Sequence, residues 1–157
     1  MKQISLTQWQ FALVDDEDFE ELNKYKWCAL KQWNWKFYVV RSSKRVNGKR
    51  PLIYMHITLM NTPKEMHTDH IDGNWLNNQR NNLRICTVSE NAMNRGKNKT
   101  NTSGFKGVYW NKALNKWQAG IQINWKLKHL WLFDNKLEAY RVYCEKCIKY
   151  HWEFYHL

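Results

Sequence analysis

The stretch from His67 to Arg95, HTDHIDGNWLNNQRNNLRICTVSENAMNR, constrains the chain more than any other. It is too polar to form a layer of a large core. Its signals run in the order strand, loop, strand, helix. Asp69-His70 closes a short strand candidate, and the loop that follows holds Gly73 and Asn74. Asn81-Asn82-Leu83-Arg84-Ile85-Cys86 reads as a second short strand. Thr87 with Glu90 three residues later forms a capping-box pattern, which starts a helix and puts Asn91 in its first turn. Polar groups on three short elements can then converge on one point.

That set of side chains suits hydrolysis of a phosphodiester. A neutral imidazole with an unperturbed pKa near 6.5 can take a proton from water at neutral pH. A divalent ion offsets charge building on the phosphate and the leaving oxygen, and hard ions prefer oxygen ligands such as Asp and the Asn carbonyl. A side-chain amide can fix the tautomer of the histidine. His56, in the apolar run YMHITLM, is expected to pack or to make a structural hydrogen bond. His67, just before the motif, is expected to be exposed.

Charge points the same way. The formal net charge is +11, and Asp15, Asp16, Glu17, Asp18, Glu20 and Glu21 hold six of the fourteen acids. From residue 22 onward 24 basic residues face 8 acidic ones, a net of +16. Such an excess attracts polyanions, of which nucleic acid is the commonest. The acidic run itself reads as a solvated turn or a helix start. No run approaches the roughly 20 apolar residues of a membrane span, and MKQISLTQWQ lacks the pattern of a secretory signal. The expectation is a cytoplasmic protein of a bacterial or phage-infected cell, with no membrane partner. Cys28, Cys86, Cys144 and Cys147 are then reduced thiols. Cys144-x-x-Cys147 lacks the second pair of a four-ligand zinc site. Leu137, Tyr140, Cys144, Cys147 and Ile148 recur at helical spacing, so the thiols are expected in a core.

Four segments follow from composition. Residues 1–60 read as short strands and turns and then a short helix. Within them FALVDDEDFEEL is a strand ending in the acidic run. KFYVVRSSKRVNGKRPLIYMHI is a hairpin turning at Val46-Asn47-Gly48-Lys49. Residues 61–95 hold the polar motif. Residues 96–104, GKNKTNTSG, contain no hydrophobe and read as a basic surface linker. Residues 105–157 read as three strands, FKGVYW, KWQAGIQIN and LKHLWLF, and a helix over about 136–150.

TDHIDGN followed by NNQRNNLRICT and SENAMNR resembles the HNH homing-endonuclease motif of phage and intron genes, the ββα-metal fold. MHITLMNTPKEM matches the lead-in of that family. The resemblance implies that His70 is the general base, that Asp69 and Asn91 hold one divalent metal ion, and that Asn82 orients His70. The ion is expected to be Mg2+, with Mn2+ as the alternative. Arg80, Arg84, Arg95 and Lys97 flank the motif and are expected to grip the DNA backbone.

SGFKGVYWNKALNKWQAGIQIN and LKHLWLFDNKLEAYRVY resemble the AP-two/ERF DNA-binding domain, over about 103–157. That family presents a three-stranded antiparallel sheet to the major groove and backs it with one helix. Every second residue of such a face must meet bases or phosphates. The candidates are Lys106, Tyr109, Lys112, Trp117, Gln122, Lys128 and His129, with Lys106 and Lys112 on phosphates. Trp110 and Trp117 stack on sugar and base edges or pack under the sheet. The family often has Arg at the reading positions, where this chain has Lys106, Tyr109 and Gln122, so its target does not transfer.

The fold class expected is therefore α+β: a ββα-metal module, then a three-stranded antiparallel sheet packed on one helix. The function expected is a metal-dependent DNA endonuclease acting on double-stranded DNA, with no obligate protein partner. A non-catalytic DNA-binding transcriptional regulator is the alternative. An RNA-binding protein is a third reading, weakened because the sheet lacks a paired-aromatic stacking motif.

One ratio is out of place. The chain has ten Trp and six Gly. Against the families resembled, Trp9, Trp75, Trp125, Trp131 and Trp152 fall at usual Gly positions, while Trp27, Trp110 and Trp117 fall at aromatic ones. Asn124-Trp125 occupies a hairpin turn that calls for Asn-Gly. The expectation is that the source reads UGA as glycine.

Overall fold

A computed structural model of the chain describes residues 1–32 and 36–154, so the last three positions of the expected 105–157 module lie outside the described residues. The chain divides into two compact units, Met1–Thr87 and Val88–Leu157. The architecture is α+β, with short antiparallel sheets and few helices.

In the first unit β1 (Lys2–Ser5) pairs with β2 (Phe11–Val14). Ile4 and, two residues apart, Ala12 and Val14 face the core, as period-two patterning requires. The acidic run becomes helix α1 (Asp16–Leu22), whose first turn carries Asp16, Glu17 and Asp18 against the positive end of the helix dipole. β3 (Cys28–Lys31), β4 (Phe37–Ser42) and β5 (Leu52–Tyr54) form a three-stranded sheet in that order. The turn between β4 and β5 lies at the expected place. Asn47 and Gly48 have φ of 47° and 77°, and Val46 and Lys49 exchange backbone hydrogen bonds.

Helix α2 (Met55–Met60) buries Met55, His56 and Leu59 and ends at a left-handed Asn61. Two strands, β6 (His67–His70) and β7 (Leu83–Cys86), then pair as a hairpin around the motif loop. Ile4, Ala12, Val14, Leu22, Trp27, Val39, Met55, Leu59 and Leu83 make one core.

In the second unit helix α3 (Val88–Met93) starts directly after Thr87. β8 (Val108–Asn111), β9 (Lys116–Ile123) and β10 (Lys126–Phe133) form an antiparallel sheet with β9 in the centre. Helix α4 (Lys136–His151) packs on one face, and Asn135 caps it by accepting from the Leu137 backbone N–H at 2.8 Å. The buried stripe of α4 is Ala139, Tyr143, Cys147 and His151, with Tyr140 and Cys144 beside it. Both thiols thus sit in the core as expected, and burial pushes Cys147 up to about 11. Leu137 and Ile148, expected in that stripe, are exposed because they lie on the flank of the helix. The expected linker is not loose at its end. Ser103 is buried and its hydroxyl donates to the Val108 carbonyl at 2.8 Å, which ties the segment to β8.

Candidate active site

Register fixes the centre of the first unit. Asp69 pairs with Arg84, and His70 with Leu83. A strand end would leave Asp69 and His70 to solvent, but both are buried, 7% and 3% exposed. The Arg84 guanidinium donates from Nε and Nη2 to Asp69 Oδ2, at 2.9 and 2.7 Å. Arg84, expected to grip DNA, is instead 14% exposed and held on this carboxylate. A charge buried that far is retained only with a counter-charge in contact.

The loop after His70 is braced from within. Asn82 accepts from the Asp72 backbone N–H at 3.0 Å, and its Nδ2 donates to Asp72 Oδ1 and the Asn77 carbonyl at 2.9 and 2.8 Å. Asn82 was expected to orient His70. Its amide braces the loop that follows His70. The polar side chain set against the His70 ring is Asn78, fully buried and pinned by its backbone N–H to the Leu13 carbonyl at 2.8 Å. Asn78 was missed because a run of asparagines carries no period that marks which one faces in.

Burial pulls the His70 imidazole below its ordinary value, and this outweighs the raising effect of Asn78, Asp72 and Asp69. Asp72 is lowered although burial opposes it, because Asn77, the Asn74 N–H and Asn82 all donate to it. The ring is therefore neutral at neutral pH, the form a base requires.

His56 packs directly beside it. Its ring centroid lies 5.0 Å from that of His70, edge-on at 73°, and Tyr38 and Tyr54 flank it at 5.5 and 5.6 Å. Burial, with the nearby His70, lowers His56 to about 3. Trp75 extends this aromatic wall by stacking on Tyr38 at 4.2 Å. His67 is exposed, as expected.

Arg80 is likewise engaged within the first unit. Its Nε and Nη2 donate to the two Asp18 oxygens at 2.8 and 2.7 Å, and its backbone N–H to Asp15 at 2.8 Å. The acidic run thus anchors the motif loop, a role its sequence does not suggest, and pairs Arg80 with Asp18.

The second unit carries Asn91 on α3 and the remaining candidates. Tyr109, Gln118, Gln122 and His129 share the sheet face turned away from α4. The Tyr109 hydroxyl and Gln118 Nε2 both lie within hydrogen-bond distance of His129 Nδ1, at 2.8 and 2.7 Å. Trp117 lies on the opposite face, packed on the α4 core and edge-on to Trp110 at 4.9 Å. Lys128 pairs with Ile121 on that same face and reaches over Tyr150 at 5.7 Å. Alternation therefore puts Trp117 and Lys128 on the side of the sheet that faces α4, away from Tyr109, Gln122 and His129. Lys106, expected on a phosphate, is half-buried and donates to the Met93 carbonyl at 2.7 Å. Lys97 donates to the Gly104 carbonyl at 3.1 Å, while Arg95 and Lys112 are exposed. A cleft of about 620 Å3 is lined by Arg95, Lys97, Tyr109, Gln122 and Trp125 among others.

Among the described residues no group of three His, Cys, Asp or Glu side chains is close enough to hold a metal ion. In the first unit the Asp69 carboxylate offers hard oxygen donors. That chemistry fits a weakly held Mg2+ that keeps several waters, and does not fit zinc.

Residues 61–93 match the HNH endonuclease family. The chain is 36% identical over 88 residues to "Protein 3.8" of Escherichia phage T7, covering 50% of this chain and 73% of that protein. It is 35% identical over 104 residues to an uncharacterised HNH endonuclease of Acanthamoeba polyphaga mimivirus, covering 62% of this chain and 48% of that protein, about half its length. No solved structure matches significantly.

Proposed function

We propose that this chain, which belongs to the family of phage T7 protein 3.8 and carries an HNH endonuclease domain, is a metal-dependent endonuclease of double-stranded DNA. The observation that carries the reading is the buried His70 imidazole that follows Asp69 at the end of β6, within the segment that matches the HNH family. His70 takes the proton of the attacking water on an imidazole nitrogen. Asn82 keeps the loop from Asp72 to Asn77 in place, and Asn78 supports the ring. Asp69 would hold Mg2+, or Mn2+ in its place, with Asn91 assigned by the motif alone; the bound ion supplies positive charge to the phosphate and leaving oxygen.

The second unit reads DNA. Its three-stranded sheet backed by one helix supports the AP-two/ERF likeness, with Tyr109, Gln122 and His129 on the open face and Arg95 and Lys112 on phosphates. The enzyme is of the homing or mobile-element type, works in the cytoplasm of a bacterial or phage-infected cell, and needs no obligate protein partner.

A supercoiled plasmid incubated with the protein tests this. Nicked or linear product with Mg2+ or Mn2+, and none with chelator, is the expected outcome. Tight binding with no product under any divalent ion contradicts it and leaves the transcriptional-regulator reading.

A further inference from the structure

His56 is a buried polar side chain that the reaction above does not use. It is 6% exposed, and its Nδ1 has no hydrogen-bond partner among the described residues. A ring needed only for packing would be Phe, which buries the same shape without leaving a ring nitrogen desolvated. Groups kept at such a cost gather where a protein works rather than where it is merely stable. The neighbour that gives His56 a use is His70, whose ring it meets edge-on at 5.0 Å. Tyr38 and Tyr54 hold His56 from the other sides, so its own plane is set by packing.

We propose that His56 is a positioning residue of the nuclease centre, fixing the plane of the His70 imidazole and setting a polar ring, in place of an apolar one, against it. The proposal rests on the nuclease reading. The unpartnered Nδ1 makes the His56 ring a polar neighbour, which a phenyl ring cannot be.

The test compares the wild type with His56→Phe and His56→Gln in metal-dependent nicking, with DNA affinity and melting temperature measured on the same samples. His56→Phe is expected to melt no lower than the wild type, to bind DNA with unchanged affinity and KM, and to lose about tenfold or more in kcat. His56→Gln decides the matter should the Phe variant not fold. It keeps a polar atom but loses the ring, and is expected to lose kcat at constant KM. Wild-type kcat in either folded variant overturns the proposal. So does a loss that appears as weaker DNA binding with lowered melting, the mark of plain damage to the fold. Absence of cutting by the wild type itself would instead remove the nuclease reading.

Backbone angles carry a second inference independently. Trp9, Trp125 and Trp152 have φ of 57°, 64° and 35°. Trp9 follows Gln8 at φ 59°, and Trp125 follows Asn124 at φ 48°, so both end two-residue turns with two left-handed positions. Those turns favour Gly at the second position, because a Cβ there crowds the backbone. Trp152 stands at the C-terminal cap of α4 with φ 35° and ψ −105°, a conformation that only glycine adopts without strain. All three indoles are largely exposed, at 95%, 58% and 73%, so little packing offsets the strain. Trp75 and Trp131 lack the positive φ.

We infer that the natural polypeptide carries glycine at 9, 125 and 152, through UGA codons that the source reads as glycine. The gene sequence and the intact mass of the protein from its source test it. UGA at the three positions and a mass lower by one tryptophan-to-glycine difference per site is the expected result. UGG codons there, or UGA codons with the tryptophan mass, overturn it.

Discussion

Arg84 places two donors on one oxygen of Asp69, with both side chains inside the protein. Removing the cation leaves a buried carboxylate uncompensated. Arg84→Gln is therefore expected to lower stability by about 3 kcal/mol, read as a shift in the urea midpoint. His56 makes a pH prediction. Its folded value is about 3, below the ordinary 6.5. Below pH 6.5 the unfolded chain takes up a proton that the folded one refuses, so stability falls with pH over the window from 6.5 to about 3. The slope is about 1.4 kcal/mol per pH unit. His70 and His151 are also lowered by burial and act in the same direction. Urea titrations at pH 7 and 5 should show this loss, and His56→Phe should lose one proton less. The place of Asp69 and His70 at the end of a short strand was legible from the motif, because residue type and spacing mark the strand and the loop after it. The roles of Arg84, Asn78 and Asn82 were not, since they depend on cross-strand register and on which amide of a polar run turns inward.

Turn chemistry and alternation are local, and the elements they specify were legible. The Asn47-Gly48 turn, the three strands β8 to β10 and helix α4 all fall where composition puts them. Faces were harder. A shift of one residue turns a strand side chain to the other side. The irregular register of β10 between His129 and Leu132 breaks any simple count. Trp117 takes the packed one of its two alternatives, and Lys128, paired with Ile121, lies on that same side of the sheet. The packing of α4 gives a sharp test. Gly107 has φ of 72°, and a Cβ there would come within 2.0 Å of Tyr143 Cε2. Gly107→Ala must push Tyr143 out of the core, and should cost about 3 kcal/mol or more. Gly104→Ala is the control. It has similar φ, 86°, but nothing within 4 Å of the added carbon, so it should cost only about 1 kcal/mol. Thermal melts of the full chain separate the two.

For the whole molecule charge dominates. A net of +11 on 157 residues makes DNA binding salt-dependent, with a slope of about −0.9 per phosphate contacted. Arg84 is held inside the protein on Asp69 and the exposed Arg80 is neutralised by Asp18, so the contacts should come chiefly from residues such as Arg95 and Lys112. Arg95→Gln and Lys112→Gln are each expected to reduce that slope by about 1, while Arg80→Gln leaves it nearly unchanged. Fluorescence anisotropy across a salt series measures this.

The central claim is that one neutral imidazole at the end of β6 activates water for attack on a phosphodiester. His70→Ala in the Mg2+-dependent nicking assay, with DNA affinity followed in parallel, tests it most directly. Binding equal to wild type with cleavage lost by three orders of magnitude or so is the result predicted. Cleavage at the wild-type rate by a pure His70→Ala protein would contradict it.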